Sequence, residues 1–246
     1  MPVVHEISTL PVAVRVFPDL ALERDGARAR FWQQPEGTLV IHTQEVGRGF
    51  IGISRFIVDG ECLEESLFYH DLPRADVQIL RKYVASHALN LVRVRLLTRR
   101  EFLETFYDLA YKARCLVVGF NLGVHLARLA FASAPARGFF AGGFSLTLWT
   151  YKDQKGRERP NGFRPRICVK YIDRKRSLIA FTARNSPDPD DLIPEGSPTG
   201  EPKPGYRFPG HFLDLRTLGF ALADELYSLE AACEAFGVEH GKNHTP

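Results

Sequence analysis

The 246-residue chain reads as a mixed α/β fold: a β-sheet flanked by helices, with an inserted β-hairpin and a long Pro/Gly-rich loop. Three observations carry that expectation. Residues 38–70 alternate apolar and polar side chains as strands do, and Asp59-Gly60 marks a tight hairpin turn. The run CLVVGF at 115–120 is short and continuously apolar, as suits a strand covered on both faces. Helical spacing precedes and follows that run, which suggests a sheet packed against helices.

Taken in order, TLVIHTQ, GFIGISRFIVDG and ECLEESLFYH are three strands. ADVQILRKYVASHA sets Val77, Leu80 and Val84 on one helical face. Thr98-Arg-Arg-Glu101 is a capping box that opens a helix over EFLETFYDLAYKARC. After the apolar strand, LGVHLARLAF resumes helical spacing. Residues 135–211 depart from this pattern, with Gly142-Gly143, a strand-like SLTLWTY, a KDQKGRERPNG turn, RICVKYID and SLIAFTA. The segment SPDPDDLIPEGSPTGEPKPGYRFPG is too dense in Pro and Gly for regular structure. HFLDL returns as a strand, RTLGFALADE as a helix, and SLEAACEAFG as a last helix with Ser228 as N-cap and Gly237 just past its end. The expected organisation is a single domain, with an N-terminal extension over 1–37 (where VAVRVF has strand character) and an insertion over 135–211.

Composition narrows the class. Forty-five percent hydrophobic and 25% charged residues exclude disordered, collagenous and coiled-coil chains. Four cysteines without a CxxC pair argue against a zinc knuckle or disulfide scaffold and fit a reducing cytoplasm. No apolar run approaches the roughly 20 residues of a membrane helix, and MPVVHEISTLPVAVRVF lacks signal-peptide character, so no membrane contact is expected. P-loop, GxSxG, HExxH and EF-hand patterns are absent from the sequence, and Gly47-Arg48-Gly49 reads as a turn. The net charge of +3 decides little, but Lys152–Arg176 holds ten basic residues against three acids. Trp149, Tyr151, Phe163 and Tyr171 are interleaved with them. Such charge holds phosphate backbones and such rings stack on single-stranded bases, which makes Arg164, Arg166, Lys170, Arg174, Lys175 and Arg176 candidate nucleic-acid contacts. The competing reading is a solvated hairpin, with Ile167, Val169 and Tyr171 on its inner face and Arg166, Cys168 and Lys170 outside.

Residues 115–130, CLVVGFNLGVHLARLA, resemble the second exonuclease motif of the proofreading domain of family B DNA polymerases. FLDLRTLGFALADELYSLEAACEAFGVEHGK resembles the segment leading to that domain's third motif, and VIHTQ sits where the family carries Asp-x-Glu. The resemblance spans roughly 38–242, and the GGFSL…RPRICVK…DLIPEG stretch is similar to a bacterial branch of the family. It implies a ribonuclease H-like fold of the DEDD 3′–5′ exonuclease class, whose four carboxylates hold two divalent ions about 4 Å apart.

The family's acids do not stand at the matching positions. His42 and Gln44 replace Asp-x-Glu, His125 replaces the second-motif Asp, and the third motif would fall beyond Lys242. Through the resemblance, the expectation is therefore a protein without metal-dependent exonuclease activity and without a cofactor, Mg²⁺ or Mn²⁺ entering only with residual nuclease activity. Asn121 matches a family residue that contacts the substrate strand, and Asp214 matches a supporting acid; Glu45 points away from Gln44 by strand alternation. The implied partner is single-stranded or end-bearing nucleic acid, DNA rather than RNA. Two alternatives stand beside it. One is a regulatory or protein-interaction module that uses the acidic loop Asp188, Asp190, Asp191, Glu195 and Glu201. The other is a rebuilt site in which His42 and His125 bind zinc, nickel or copper, or act as general acid and base.

Overall fold

The computed structural model describes residues 35–87, 93–182 and 208–238. Three strands come first: β1 (Gly37–Val46), β2 (Gly49–Val58) and β3 (Glu61–His70). They pair antiparallel through turns at Gly47-Arg48 and Asp59-Gly60. Asp59 and Gly60 have φ of 52° and 83°, the left-handed pair that matches the twist of a two-residue hairpin. α1 (Arg74–His87) leads to β4 (Arg93–Thr98), which pairs parallel with β3. β4 is not among the strands expected from the sequence; the alternation of Val94 and Leu96 with Arg93 and Arg95 is the signal that marks it.

The expected capping box forms at the start of α2 (Arg99–Phe106): Glu101 N–H donates to Thr98 Oγ1 at 3.4 Å, and Thr98 N–H donates to Glu101 Oε2 at 2.7 Å. The helix does not run on unchanged to Cys115. It widens into a π-helical turn over Tyr107–Lys112, closed by Ala113 N–H donating to Asp108 O. Tyr107 thereby stays in the core, edge-on to Trp149 with ring centroids 5.2 Å apart.

Next come β5 (Leu116–Gly119), α3 (Leu122–Leu129), β6 (Ala132–Pro135), β7 (Phe144–Thr147), the small hairpin β8 (Thr150–Lys152) and β9 (Glu158–Pro160), β10 (Ile167–Tyr171) and β11 (Ser177–Phe181). β12 (His211–Asp214), α4 (Leu215–Ala223) and α5 (Leu229–Ala235) complete the described chain. Ser228 Oγ accepts the Ala231 N–H and Gly237 has φ of 67°, so α5 begins and ends where its caps predict.

The main sheet has the order β12-β5-β1-β2-β3-β4, with β5 parallel to both β1 and β12. A second sheet has the order β11-β10-β7-β6. α2 and α3 pack between them. Phe102 of α2 stacks on Phe68 of β3 at 3.7 Å between centroids, while the Trp149 indole N–H donates to Leu103 O at 3.0 Å. Gly123 of α3 meets β10 so closely that a Cβ there would lie 2.7 Å from the Tyr171 hydroxyl. The second sheet is therefore a structural layer against α2 and α3, and its first strand begins at Ala132. Ile167, Cys168 and Val169 are all buried, so β10 is covered on both faces over these three residues, contrary to an outward Cys168, whereas Lys170 is half-buried and Tyr171, expected on the inner face, is exposed. The aromatics divide: Trp149 is core, while Tyr151 and Phe163 are exposed.

No helix among the described residues is long and apolar enough to cross a membrane. The VAVRVF segment, the acidic loop and the chain after Val238 lie outside the described residues.

Candidate functional site

Because β1, β5 and β12 are parallel, their carboxyl ends share one edge of the main sheet. Val40 is the last β1 residue paired with β5, whereas β1 continues beside β2 to Val46. The chain leaves β5 through Phe120 and Asn121 into α3, and leaves β12 at Asp214 into α4. Ligands of open α/β sheets bind at such carboxyl edges. Here the edge opens into a cleft of about 470 Å³, whose lining includes His42, Thr43, Gln44, Asn121, His125, Arg128, Arg216 and Tyr227.

Alternation along β1 buries Leu39, Ile41 and Thr43 and leaves His42 and Gln44 on the exposed face. His125 is buried on α3, with its ring 4.8 Å from that of His42. Thr43 N–H donates to His125 Nδ1 at 3.1 Å, and the Thr43 hydroxyl lies 2.9 Å from the same nitrogen. A backbone amide can only donate, so Nδ1 is unprotonated and the ring proton sits on Nε2, which donates to Phe120 O at 2.9 Å. Burial, followed by the neighbouring His42 and Arg128, pushes the His125 pKa down to about 4. Burial and then Arg128 lower that of His42 as well. Both imidazoles are neutral at neutral pH.

Arg128 lies three residues beyond His125 on α3. Its Nη1 donates to Thr43 O at 2.8 Å and its Nε to Glu45 at 3.2 Å. Glu45 therefore serves Arg128 and, as strand alternation predicts, does not line the cleft. Arg216 lines the cleft with no hydrogen bond or ion pair to its guanidinium among the described residues.

Asn121 has left-handed backbone angles (φ 59°, ψ 50°) and makes no side-chain cap bond to α3. Its N–H donates to Asp214 Oδ1 at 2.9 Å. The same oxygen accepts Arg216 N–H at 3.0 Å, and Oδ2 accepts the Ser177 hydroxyl at 2.9 Å. Asp214 thus ties β12 to α3, α4 and β11.

A pair of magnesium or manganese ions does not fit this donor set. Hard divalent ions take clustered oxygen ligands, whereas the matching positions supply two imidazoles and one carboxamide. Both His125 nitrogens are engaged within the chain, which leaves His42 as the remaining imidazole for zinc or copper. Among the described residues, no three His, Cys, Asp or Glu side chains are grouped to hold a metal ion.

None of the six basic candidates lines the cleft, and several are already matched. Arg164 makes a bidentate pair with Glu104 at 2.8 and 2.6 Å and stacks over Tyr107, 4.3 Å from its centroid. Arg176 pairs with Asp173 at 2.8 and 2.6 Å. Arg166 donates from Nη2 to Ser145 O, its buried Nε having no partner, and Lys170 donates to Phe139 O. Lys175 sits 4.1 Å over the Phe220 ring and, with Arg174 and Arg176, borders a second surface pocket. The stretch is not one continuous positive track.

His42, Gln44, Asn121 and His125 therefore converge, and the basic stretch does not join them. Thr43, Arg128 and Arg216 belong to the cleft without having been expected there. Arg128 carries a readable signal, since it is one helical turn from His125; Arg216 follows Asp214 at the start of a helix. No protein-family profile matches the chain, and no curated protein matches it.

Proposed function

We propose that the chain is a nucleic-acid-binding, exonuclease-like protein of ribonuclease H-like fold that does not carry out metal-dependent 3′–5′ cleavage. One observation carries the reading. Two segments far apart in sequence, His42–Gln44 on β1 and His125 on α3, which the polymerase-exonuclease resemblance assigns to one catalytic centre, line a single cleft at the carboxyl edge of β1 and β5. The order β3-β2-β1-β5-β12 is compatible with such a sheet. The donors at those positions are His42, Gln44 and His125, and without clustered carboxylates the two-ion mechanism has no ligand cage. Asn121, with a side chain free of capping duty beside the cleft, is suited to contact a strand. The reading includes a cytoplasmic setting, no resident cofactor, and single-stranded or end-bearing DNA as the partner.

Its test is incubation with a 5′-labelled single-stranded oligonucleotide in Mg²⁺, Mn²⁺ or EDTA, scoring shortening and retardation together. Retardation without shortening is expected. Metal-dependent shortening that disappears on His42→Ala with His125→Ala would overturn it.

A second reading, a regulatory or protein-interaction module on the same scaffold, is favoured by one observation. Arg164 and Arg176 are internally paired, which weakens the basic stretch as a phosphate track. A strand that is neither cut nor held would put this reading first.

A further inference from the structure

We infer that the cleft is a metal-independent phosphate site, in which the guanidinium groups of Arg128 and Arg216 take the anionic oxygens. The inference rests on the proposed function for nucleic acid as the source of the phosphate; the phosphate chemistry itself rests on the cleft.

The lining contains two arginines and no carboxylate. Acids beside the cleft are committed elsewhere: Asp214 is buried with both oxygens accepting internal hydrogen bonds, Glu45 is held by Arg128 outside the lining, and Glu225 is hydrogen-bonded to the lining Tyr227. A divalent cation entering the cleft would meet the charge of Arg216, unpaired among the described residues, and that of Arg128, which Glu45 offsets in part, whereas a phosphate would meet complementary charge. Arg128 is fixed in advance by Thr43 O and Glu45, which engage Nη1 and Nε and leave Nη2 unengaged among the described residues. The Arg216 guanidinium has no hydrogen-bond or ion-pair partner among the described residues to exchange for a ligand, and its position is set by the Asp214 cap at the start of α4. The planar guanidinium fork of Arg216 can match phosphate oxygens in two parallel hydrogen bonds, while Arg128 offers its Nη2. The neutral His42, Gln44 and Asn121 side chains add uncharged donors around the same space and no negative charge.

The test uses the full chain in EDTA. A labelled single-stranded DNA bearing a 3′-phosphate is titrated by fluorescence anisotropy, and inorganic phosphate by calorimetry. Arg216→Gln and Arg128→Gln are compared with wild type and with Arg81→Gln, a charge control on α1, which packs on β4 at the far edge of the main sheet. DNA binding is expected to persist in EDTA, to weaken roughly tenfold or more in Arg216→Gln, and to be unchanged in Arg81→Gln. Inorganic phosphate should compete better than chloride at equal ionic strength. Arg128→Gln also loses the Thr43 and Glu45 contacts, so it is read alongside its melting curve; Arg216→Gln loses no guanidinium hydrogen bond or ion pair to the described residues and keeps the test decisive. Phosphate binding without DNA binding would uphold the site and overturn the nucleic-acid reading. DNA binding insensitive to both substitutions would overturn the phosphate site and leave DNA on another surface. A requirement for Mg²⁺ would overturn the inference, and binding of neither probe would overturn both.

Discussion

The imidazole of His125 accepts the backbone N–H of Thr43 at 3.1 Å, so that a helix side chain completes the hydrogen bonding of a strand. β1 outruns β5, and beyond Val40 its open edge has no strand beside it. α3 supplies the missing partners: His125 for the Thr43 N–H and Arg128 for the Thr43 carbonyl. Both Thr43 backbone groups would otherwise be buried and unsatisfied.

Replacing His125 by Ala should therefore lower stability by about 2–4 kcal/mol, the sum of an orphaned amide and a cavity. Urea denaturation of His125→Ala, Thr43→Val and the double variant measures this. Coupling between the two sites is expected, because the Thr43 hydroxyl also meets Nδ1; strict additivity would remove the imidazole–hydroxyl bond from the account.

The same imidazole makes the fold acid-sensitive. With a folded pKa of about 4 against an ordinary 6.5, His125 binds a proton more readily when unfolded. Stability should be fully present above pH 6.5 and fall as pH drops toward 4, by about 3 kcal/mol from this residue. Denaturant midpoints between pH 7 and 4 should flatten in His125→Gln; an identical slope would place the sensitivity in other groups.

Asp214 accepts three hydrogen bonds from Asn121, Arg216 and Ser177, and one of them holds a left-handed Asn121. Asp214→Ala should cost about 2–4 kcal/mol. Asn121→Ala should cost about 1 kcal/mol through backbone strain alone, and Asn121→Gly should cost nearly nothing in stability. Thermal melts of the three variants give the order.

Within the basic stretch, only some charges are available to a phosphate backbone. Neutralising Arg174 and Lys175 together should weaken single-stranded DNA binding and flatten its log–log salt dependence by roughly 1.4, the value for two phosphate contacts. Arg164→Gln should instead destabilise the Glu104 and Tyr107 contacts and change the salt slope little. Affinity measured over a salt series separates the two outcomes.

Gly123→Ala tests the seam between the sheets. The added Cβ would lie 2.7 Å from the Tyr171 hydroxyl and 2.9 Å from Val169, both on β10. A loss of about 1–3 kcal/mol is expected from the overpacking.

Much of the main sheet was legible because local signals and tertiary packing agree there. Asp59-Gly60, the Thr98–Glu101 box and Ser228 act over a few residues, and each stands where its chemistry requires. The second sheet was read too loosely: alternation in β10 suggested an exposed side, but β10 is an inner strand and Cys168 is as buried as its neighbours. The π-helical turn after Phe106 left no local mark, since Tyr107 and Ala110 answer to the core rather than to helix propensity. In the cleft, His42, Gln44, Asn121 and His125 were found through the resemblance. Thr43 was not, because its role comes from the open edge of β1, a tertiary circumstance with no sequence spacing of its own; Arg128 stands one helical turn beyond His125, a spacing that marks a shared helix face but not the strand edge it serves.

The place of β12 beside β5 has a consequence for how the chain folds. The first three strands can pair through tight turns, but β12 reaches β5 only after everything between Gly119 and His211 has been traversed. Closing a long intervening segment carries an entropic cost, and non-local parallel pairing forms late. Arg216 arrives with β12, together with the carboxylate that anchors Asn121. A nascent or partly folded chain is therefore expected to hold the β1–β2–β3 meander and still have no complete cleft, so that the proposed phosphate binding would report completion of the fold.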